Sequence, residues 1–404
     1  MNPDWPIYKV SEFAEIYNGG TPSTSEPKNF GGEIPWITPK DLSNYEYRYI
    51  SKGARSITEH GLKNSSATIV PEGTILLTSR APVGYMAIAQ NPVTTNQGFK
   101  NLVIKEGFDN RFIFYMLKFN VDFLKSQASG STFAELSRTT LKEITFSIPP
   151  LPEQRAIAEV LSALDDKIEL NRRMNQTLEQ LARAIYKHMF IDNPEREGWE
   201  VKSLSELAEF VKGVSYSSSD LVEDSNIALV TLKSFNRGGG YKEEGLKPFV
   251  GFFKPQQRIF PGEVVVAHTD LTQMAEVIGR SARVEENEVH TTLVASLDLV
   301  IVRPKQLGIT NEYIYCLLAY GDFSDFAYGY TNGTTVLHLS KKALEEYKVF
   351  APPSTFLITF SEKVTPLFKQ IDLNNKQSRT LAKLRDTLLP KLMSGQVIIN
   401  EVNT

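Results

Sequence analysis

Cysteine is almost absent from this sequence: Cys316 is the only one in 404 residues. A single thiol excludes an internal disulfide framework and a thiolate-rich zinc site. It stands in the apolar run YIYCLLAY (313–320), where a buried core thiol is expected. Histidine is scarce too. His60, His188, His268, His290 and His338 show no paired ligand spacing within one helix or loop, so no metal is expected. No stretch approaches the roughly 18 uncharged apolar residues of a membrane span. The start, MNPDWPIYKV, has neither a basic segment nor an apolar core, so it does not read as a secretion signal and a cytoplasmic location is expected. No Gly-x-x-x-x-Gly-Lys-Ser/Thr loop occurs, and Gly238, Gly239 and Gly240 follow Phe235-Asn236-Arg237 rather than joining a strand to a helix. Nucleotide hydrolysis is therefore unsupported. The Asn/Asp-Pro-Pro-aromatic tetrapeptide with which amino-methyltransferases hold a target base is missing, and Asp165-Asp166 reads as the solvated flank of a helix. No catalytic residue, and no cofactor held by this chain, is expected.

Strong positive charge is missing as well. The formal net charge is -3. By segment it runs to about +1 over 1–150, about 0 over 151–191, about -7 over 192–353 and about +3 over 354–404. If this chain meets nucleic acid, local clusters or partner subunits must supply much of the phosphate neutralisation, and firm binding is expected only after partners dock.

What is present is a sequence written twice. SEFAEIYNGG (11–20) lies against SELAEFVKGV (205–214), each read as a short turn into a loop. WITPKDL (36–42) parallels LVTLKSF (229–235), PEGTILLT (71–78) parallels PGEVVVAH (261–268), and RFIFYML (111–117) parallels EYIYCLL (312–318). GSTFAELS (130–137) parallels GTTVLHLS (333–340), and from Gly130 onward the offset holds at about 203 residues without a gap. Each half closes on a proline pair, Pro149-Pro150 and Pro352-Pro353.

Two long helices follow those prolines. The first runs from about Pro152 to about Phe190 with Ile157, Leu161, Leu164, Ile168, Leu178 and Ile185 as its seam. The second places Phe360, Val364, Leu367, Ile371, Leu381 and Leu388 at corresponding positions, with Arg385 where the first helix has Ala182. Polar residues interrupt both seams at the same points, Asn171 with Asn175 and Asn374 with Ser378, and such residues fix register. At 1.5 Å per residue each helix extends roughly 57 Å, more than a small domain needs. The expected fold is α/β (α+β). Two pseudo-repeated globular domains, 1–150 and 192–353, are separated by helices at 151–191 and 354–396, with a tail at 397–404. The helices are expected to pair as an antiparallel coiled coil under a pseudo-twofold. One heptad inserted after Leu164 and after Leu367 is expected to lengthen the spacer.

Polar, basic and aromatic residues in the loops of both domains are candidates for reading bases. In the first domain they are Thr21, Ser23, Lys40, Arg80, Asn96, Gln97, Lys100, Ser131 and Thr132; in the second, Ser215, Tyr216, Lys233, Arg237, His268, Thr269, Asp270, His290, Thr291, Thr334 and Thr335. Asn and Gln match adenine edges, Arg and Lys match guanine, and Ser and Thr mostly contact phosphate. Singly, each is as well explained by loop stabilisation.

The segments GGTPS (19–23), GGEIPWITPKDL (31–42), NQGF (96–99), IPPLPEQRAIAEVLSALDDKIELNRR (148–173) and LLPKLMSGQV (388–397) resemble the specificity subunits of type I restriction-modification systems. The second half departs, with Pro352-Pro353-Ser354-Thr355-Phe356 in place of the Pro-Glu-Gln helix start. The resemblance implies two target recognition domains that each read one half of a bipartite site in double-stranded DNA. It also implies helices that set the spacer and dock two methyltransferase subunits. Catalysis and cofactors would then belong to the partners, S-adenosylmethionine in the methyltransferases, ATP and magnesium in a restriction and translocase subunit. A modification-only or type IIB-like system is the neighbouring alternative; a duplicated enzyme and a scaffold protein are remoter ones.

Overall fold

The computed structural model describes residues 5–130, 134–270, 276–306, 308–333 and 336–397. The chain divides into two compact units. One holds the residues up to Asn171 together with those from Gln377 onward; the other holds Arg172–Lys376. The division falls inside each long helix, so each unit combines one globular part with half of each helix.

In the first unit a five-stranded sheet runs in the order Ala14–Asn18, Phe99–Ile104, Ile75–Ser79, Val83–Ala89 and Tyr49–Ile50. Its central strand Ile75–Ser79 is buried on both faces. Ile75 and Leu77 join the core beneath the helix Asn110–Phe119, whereas Leu76 joins the core on the opposite face. That helix starts where it does because the Asp109 carboxylate accepts the Arg111 and Phe112 amides, both at 3.0 Å. A second sheet orders Arg55–Ile57, Phe30–Ile37 and Thr94–Thr95, with the last two strands parallel.

The second unit repeats the plan. Ala208–Lys212, Leu299–Pro304, Val264–Ala267 and Ser281–Arg283 form one sheet; Lys247–Pro248, Ile227–Val230, Thr292–Ala295 and Arg258–Ile259 form the other, again with one parallel pair. The segments 11–20 and 205–214 are not a turn into a loop. Each is a single helical turn, Val10–Phe13 or Leu204–Leu207, running into a strand that ends at the glycine. The pairing registers also shift one repeat by a residue: Thr78 faces Phe99 where Ala267 faces Leu299. Ser79 therefore corresponds to His268, and the turn glycines Gly73 and Gly262, both at positive φ, coincide. Aligning the two prolines hides this, because the turn proline sits one residue later, nearer the strand, in the second half.

The first long helix spans Leu151–Tyr186 and continues through a π-helical turn at Lys187–Ile191; the second spans Ser354–Met393. In the first unit Asp165 meets Arg385 and Asn171 meets Gln377 and Ser378; in the second unit Asn175 meets Asn374, and Tyr186 meets Phe360. Numbers rise on one helix as they fall on the other, so the pairing within each unit is antiparallel. Ile157, Leu161, Ile168 and Asn171 are buried, as are Phe360, Val364, Ile371 and Asn374; Leu164, Leu178, Ile185, Leu367, Leu381 and Leu388 are half-buried. Asp165 is not a solvated flank. Its side chain is 13% exposed and takes hydrogen bonds from Arg385 at 2.6 Å and Tyr115 at 2.7 Å.

The Pro-Glu-Gln start has a physical role in the buried Gln154, whose amide donates to the Pro149 carbonyl and accepts the Asp109 N–H, both at 2.8 Å. One side chain thereby joins the start of the long helix to the cap of Asn110–Phe119. The second half places buried Leu357 at the matching position and packs Trp199 against Phe356, at 5.3 Å between centroids.

Candidate nucleic-acid interface

In each unit the second sheet contains a parallel strand pair, and two chain segments must leave that sheet together at the pair's carboxyl end. In the first unit Trp36 faces Thr94 and Ile37 faces Thr95. One strand exits into the 3-10 turn Pro39–Leu42. There Asp41 accepts the Thr38 N–H and hydroxyl at 2.7 Å and the Ala54 N–H at 2.7 Å, holding Lys40 exposed at the tip. The other exits into Asn96 and Gln97. The Gly19–Ser23 segment lies against them: the Gly20 N–H donates to the Thr95 carbonyl at 2.8 Å and the Trp36 indole donates to the Gly20 carbonyl at 3.0 Å. A Cβ on Gly19 would stand 1.9 Å from the Asn96 carbonyl oxygen, so only glycine passes here. The Thr21 hydroxyl then donates to Gln97, and Asn96 accepts the Gly98 N–H at 2.9 Å.

Ser79 binds the Gly98 carbonyl through its N–H at 2.8 Å and so brings the neighbouring Arg80 to the same edge. Thr21, Lys40, Arg80, Asn96 and Gln97, dispersed in sequence, are thus assembled. Lys100 is not exposed with them. Its ammonium is buried 3.1 Å from Glu135, which Arg80 also approaches at 4.0 Å. The Ser23 hydroxyl turns to Ser25 at 2.8 Å.

In the second unit the same end of the parallel pair carries Lys233, exposed on the turn Leu232–Ser234, and the segment Ser296–Asp298. A Cβ on Gly213 would lie 2.0 Å from the Ser296 carbonyl oxygen, and the Val214 N–H donates to the Ala295 carbonyl at 2.8 Å, which brings in Ser215 and Tyr216. The Tyr216 ring carries the Lys247 ammonium at 5.7 Å. His268 donates its N–H to the Asp298 carbonyl at 2.7 Å, and the Thr269 hydroxyl donates to the Asp298 carboxylate at 2.8 Å. Burial pushes the His268 imidazole below its usual pKa; Lys212 and His338 push the same way and Asp298 opposes them, so the ring is neutral near pH 7.

Other residues of the second set sit elsewhere or face inward. Asp270 is buried and accepts the Val277 N–H at 2.7 Å and the Ile278 N–H at 3.1 Å. Arg237 pairs with Glu276 at 3.3 Å. His290 and Thr291 precede Thr292, at the opposite end of the parallel pair, where His290 Nδ1 lies 2.7 Å from the Ser225 carbonyl. Ser131, Thr132, Thr334 and Thr335 lie outside the described residues. Sequence reasoning missed Ser296, Leu297 and Asp298, the structural counterparts of Asn96, Gln97 and Gly98. The matching spacing of Phe99–Ile104 and Leu299–Pro304 from the flanking repeats was the available signal.

Comparison with known proteins decides the family. A profile described as the type I restriction modification DNA specificity domain matches twice, at residues 2–180 and 196–383. The chain belongs to the type I restriction modification specificity family. Over 418 residues it is 37% identical to the specificity subunit of type I restriction enzyme MjaIX from Methanocaldococcus jannaschii, covering 99% of this chain and 95% of that one. It is 20% identical over 390 residues to the HindI specificity subunit of Haemophilus influenzae, covering 74% and 78%. The crystal structure of a type I restriction-modification S subunit from M. genitalium shares the fold, with a TM-score of 0.62 at 18% identity over 97% of both chains. As a type I specificity subunit, the protein carries two recognition domains in tandem, whose partners are DNA and the other subunits of the system. Among the described residues no helix is long and apolar enough to cross a membrane, and no group of His, Cys, Asp and Glu could hold a metal.

Proposed function

We propose that each unit of this specificity subunit reads one half of a bipartite, asymmetric DNA site through the carboxyl end of its parallel strand pair. The observation that carries this reading is the assembly of Thr21, Lys40, Arg80, Asn96 and Gln97 at one edge, and of Ser215, Lys233, Ser296 and Asp298 at the matching edge of the other unit. The two edges have different chemistry. Gln97 and Asn96 suit adenine, whereas Asp298 suits the exocyclic amine of cytosine, so the two half-sites differ. Lys40 and Lys233 occupy equivalent turns and anchor phosphate.

The subunit itself is the non-catalytic, cytoplasmic component. It directs two methyltransferase subunits, which use S-adenosylmethionine, and restriction and translocase subunits, which use ATP and magnesium. With a second half near -7 in charge, firm DNA binding follows docking of the methyltransferases. Methylated-adenine sequencing of a host expressing the methyltransferase with and without this chain tests the reading. A bipartite motif that disappears without the chain is expected; an unchanged methylome refutes it. Gln97→Ala should relax one half-site by about 1–3 kcal/mol and leave the other intact.

A further inference from the structure

Two kinds of polar joint mark the helix pair. One is the same in both units: Asn171 with Ser378 at 3.2 Å in the first, Asn374 with Asn175 at 2.8 Å in the second, which are equivalent positions under the repeat. The other occurs once. In the first unit Arg385 reaches Asp165 at 2.6 Å; Tyr115 donates to the same carboxylate at 2.7 Å and accepts from Arg48 at 2.9 Å. The equivalents of Asp165, Arg385 and Tyr115 in the second unit are Phe368, Ala182 and Cys316, all buried in an apolar cluster. A phenylalanine and an alanine therefore fill this joint as well as an ion pair does. Packing does not require the charges, and buried pairs add little net stability over apolar fillings.

What the charges change is the choice of partner. Because the helices are repeats, each could pair antiparallel with the same helix of a second copy in the register set by the asparagines. That self-pairing would set Asp165 against Ala182 and Arg385 against Phe368. Each would lose the counter-ion it has across the helix pair, at two symmetric places per pair; Asp165 would keep only the Tyr115 hydroxyl, and Arg385 only the exposed Asp386 carboxylate at 2.8 Å. We propose that Asp165 and Arg385 form a partner-selection device: the first half of the first helix accepts the second half of the second helix and rejects its counterpart in another copy. The device commits two different recognition units to one assembly, a consequence that rests on the recognition reading above; the pairing preference itself does not.

The test uses the folded full chain with a protease site placed at the exposed Pro194-Glu195. After cleavage the halves 1–194 and 195–404 are held together only non-covalently, and native mass spectrometry counts mixed and self-paired species after exchange. Mixed pairs should exceed self-pairs by about a hundredfold or more. With Asp165→Phe and Arg385→Ala, which copy the second unit's joint, that preference should fall at least about tenfold. If this variant does not fold, Asp165→Asn with Arg385→Met removes the charges at similar volume and should give the same fall. An unchanged ratio in the folded variant overturns the proposal, as does abundant self-pairing in the unmodified sequence. DNA is absent from the experiment, so its outcome is separable from the recognition reading.

Discussion

Replacing Gly19 by alanine tests the recognition edge most directly, because the structure fixes what the added methyl group meets. The new Cβ would stand 1.9 Å from the Asn96 carbonyl oxygen and 2.4 Å from the Thr95 hydroxyl, and the chain must retreat by about 1 Å or more to restore contacts found in real proteins. That retreat pulls Gly20 off Thr95 and off the Trp36 indole, two hydrogen bonds worth about 0.5–1.5 kcal/mol each. A loss of about 2 kcal/mol in a unit of this size lowers the melting temperature by about 4–8 °C. The larger effect is local: Thr21 leaves Gln97, and the two strand exits no longer present one edge. Methylome sequencing of Gly19→Ala should show one half-site relaxed or lost. Gly213→Ala, whose Cβ would meet the Ser296 carbonyl oxygen at 2.0 Å, should do the same to the other half-site. Wild-type melting and an unaltered motif in Gly19→Ala would refute the reasoning, and so would loss of both half-sites from either single change while the protein stays folded.

Other perturbations have equally definite outcomes. Gln154→Leu strands the Asp109 N–H and the Pro149 carbonyl and should destabilise the first unit by about 2–4 kcal/mol in thermal or urea unfolding; no change would remove the role given to the Pro-Glu-Gln start. His268 has a pKa below 6.5 in the folded protein, so the unfolded chain takes up the proton first and stability is lost as pH falls below about 6.5. His268→Gln should accordingly flatten the decline in melting temperature between pH 7.5 and 5.5, and an unchanged slope would contradict the burial argument. A heptad inserted between Ile168 and Glu169 and another between Thr380 and Leu381 should lengthen the spacer by about 3 base pairs, since seven residues rise about 10.5 Å; an unchanged spacer would defeat the ruler idea.

The placement of that last pair of insertions shows how far the sequence reaches. The repeat alone suggests Leu164 and Leu367, which are equivalent. They do not face each other. Leu164 lies beside the Asp165 that meets Arg385, so insertions at the equivalent sites would carry Asn171 away from Ser378. Legibility at the recognition edges was similarly divided. Thr21, Lys40, Asn96 and Gln97 stood out as loop residues, but nothing in their order placed them beside one another, and Lys100 looked as available as they did until its pairing with Glu135 was seen. The second edge is less legible because its turn proline is displaced by one residue and its segment Ser296–Asp298, at the carboxyl end of the parallel pair, lacks the Asn-Gln pair.

The sequence by itself determined that this chain is two copies of one plan, that each copy ends in a long helix with a polar break, and which family it belongs to. A repeat is a constant difference in residue number, and that is visible along a single chain. Tertiary structure alone decided which residues touch. In an antiparallel helix pair contacts follow a constant sum of residue numbers, and at a sheet edge they follow the directions of strands joined by long connections. Neither relation leaves a periodic trace in the sequence.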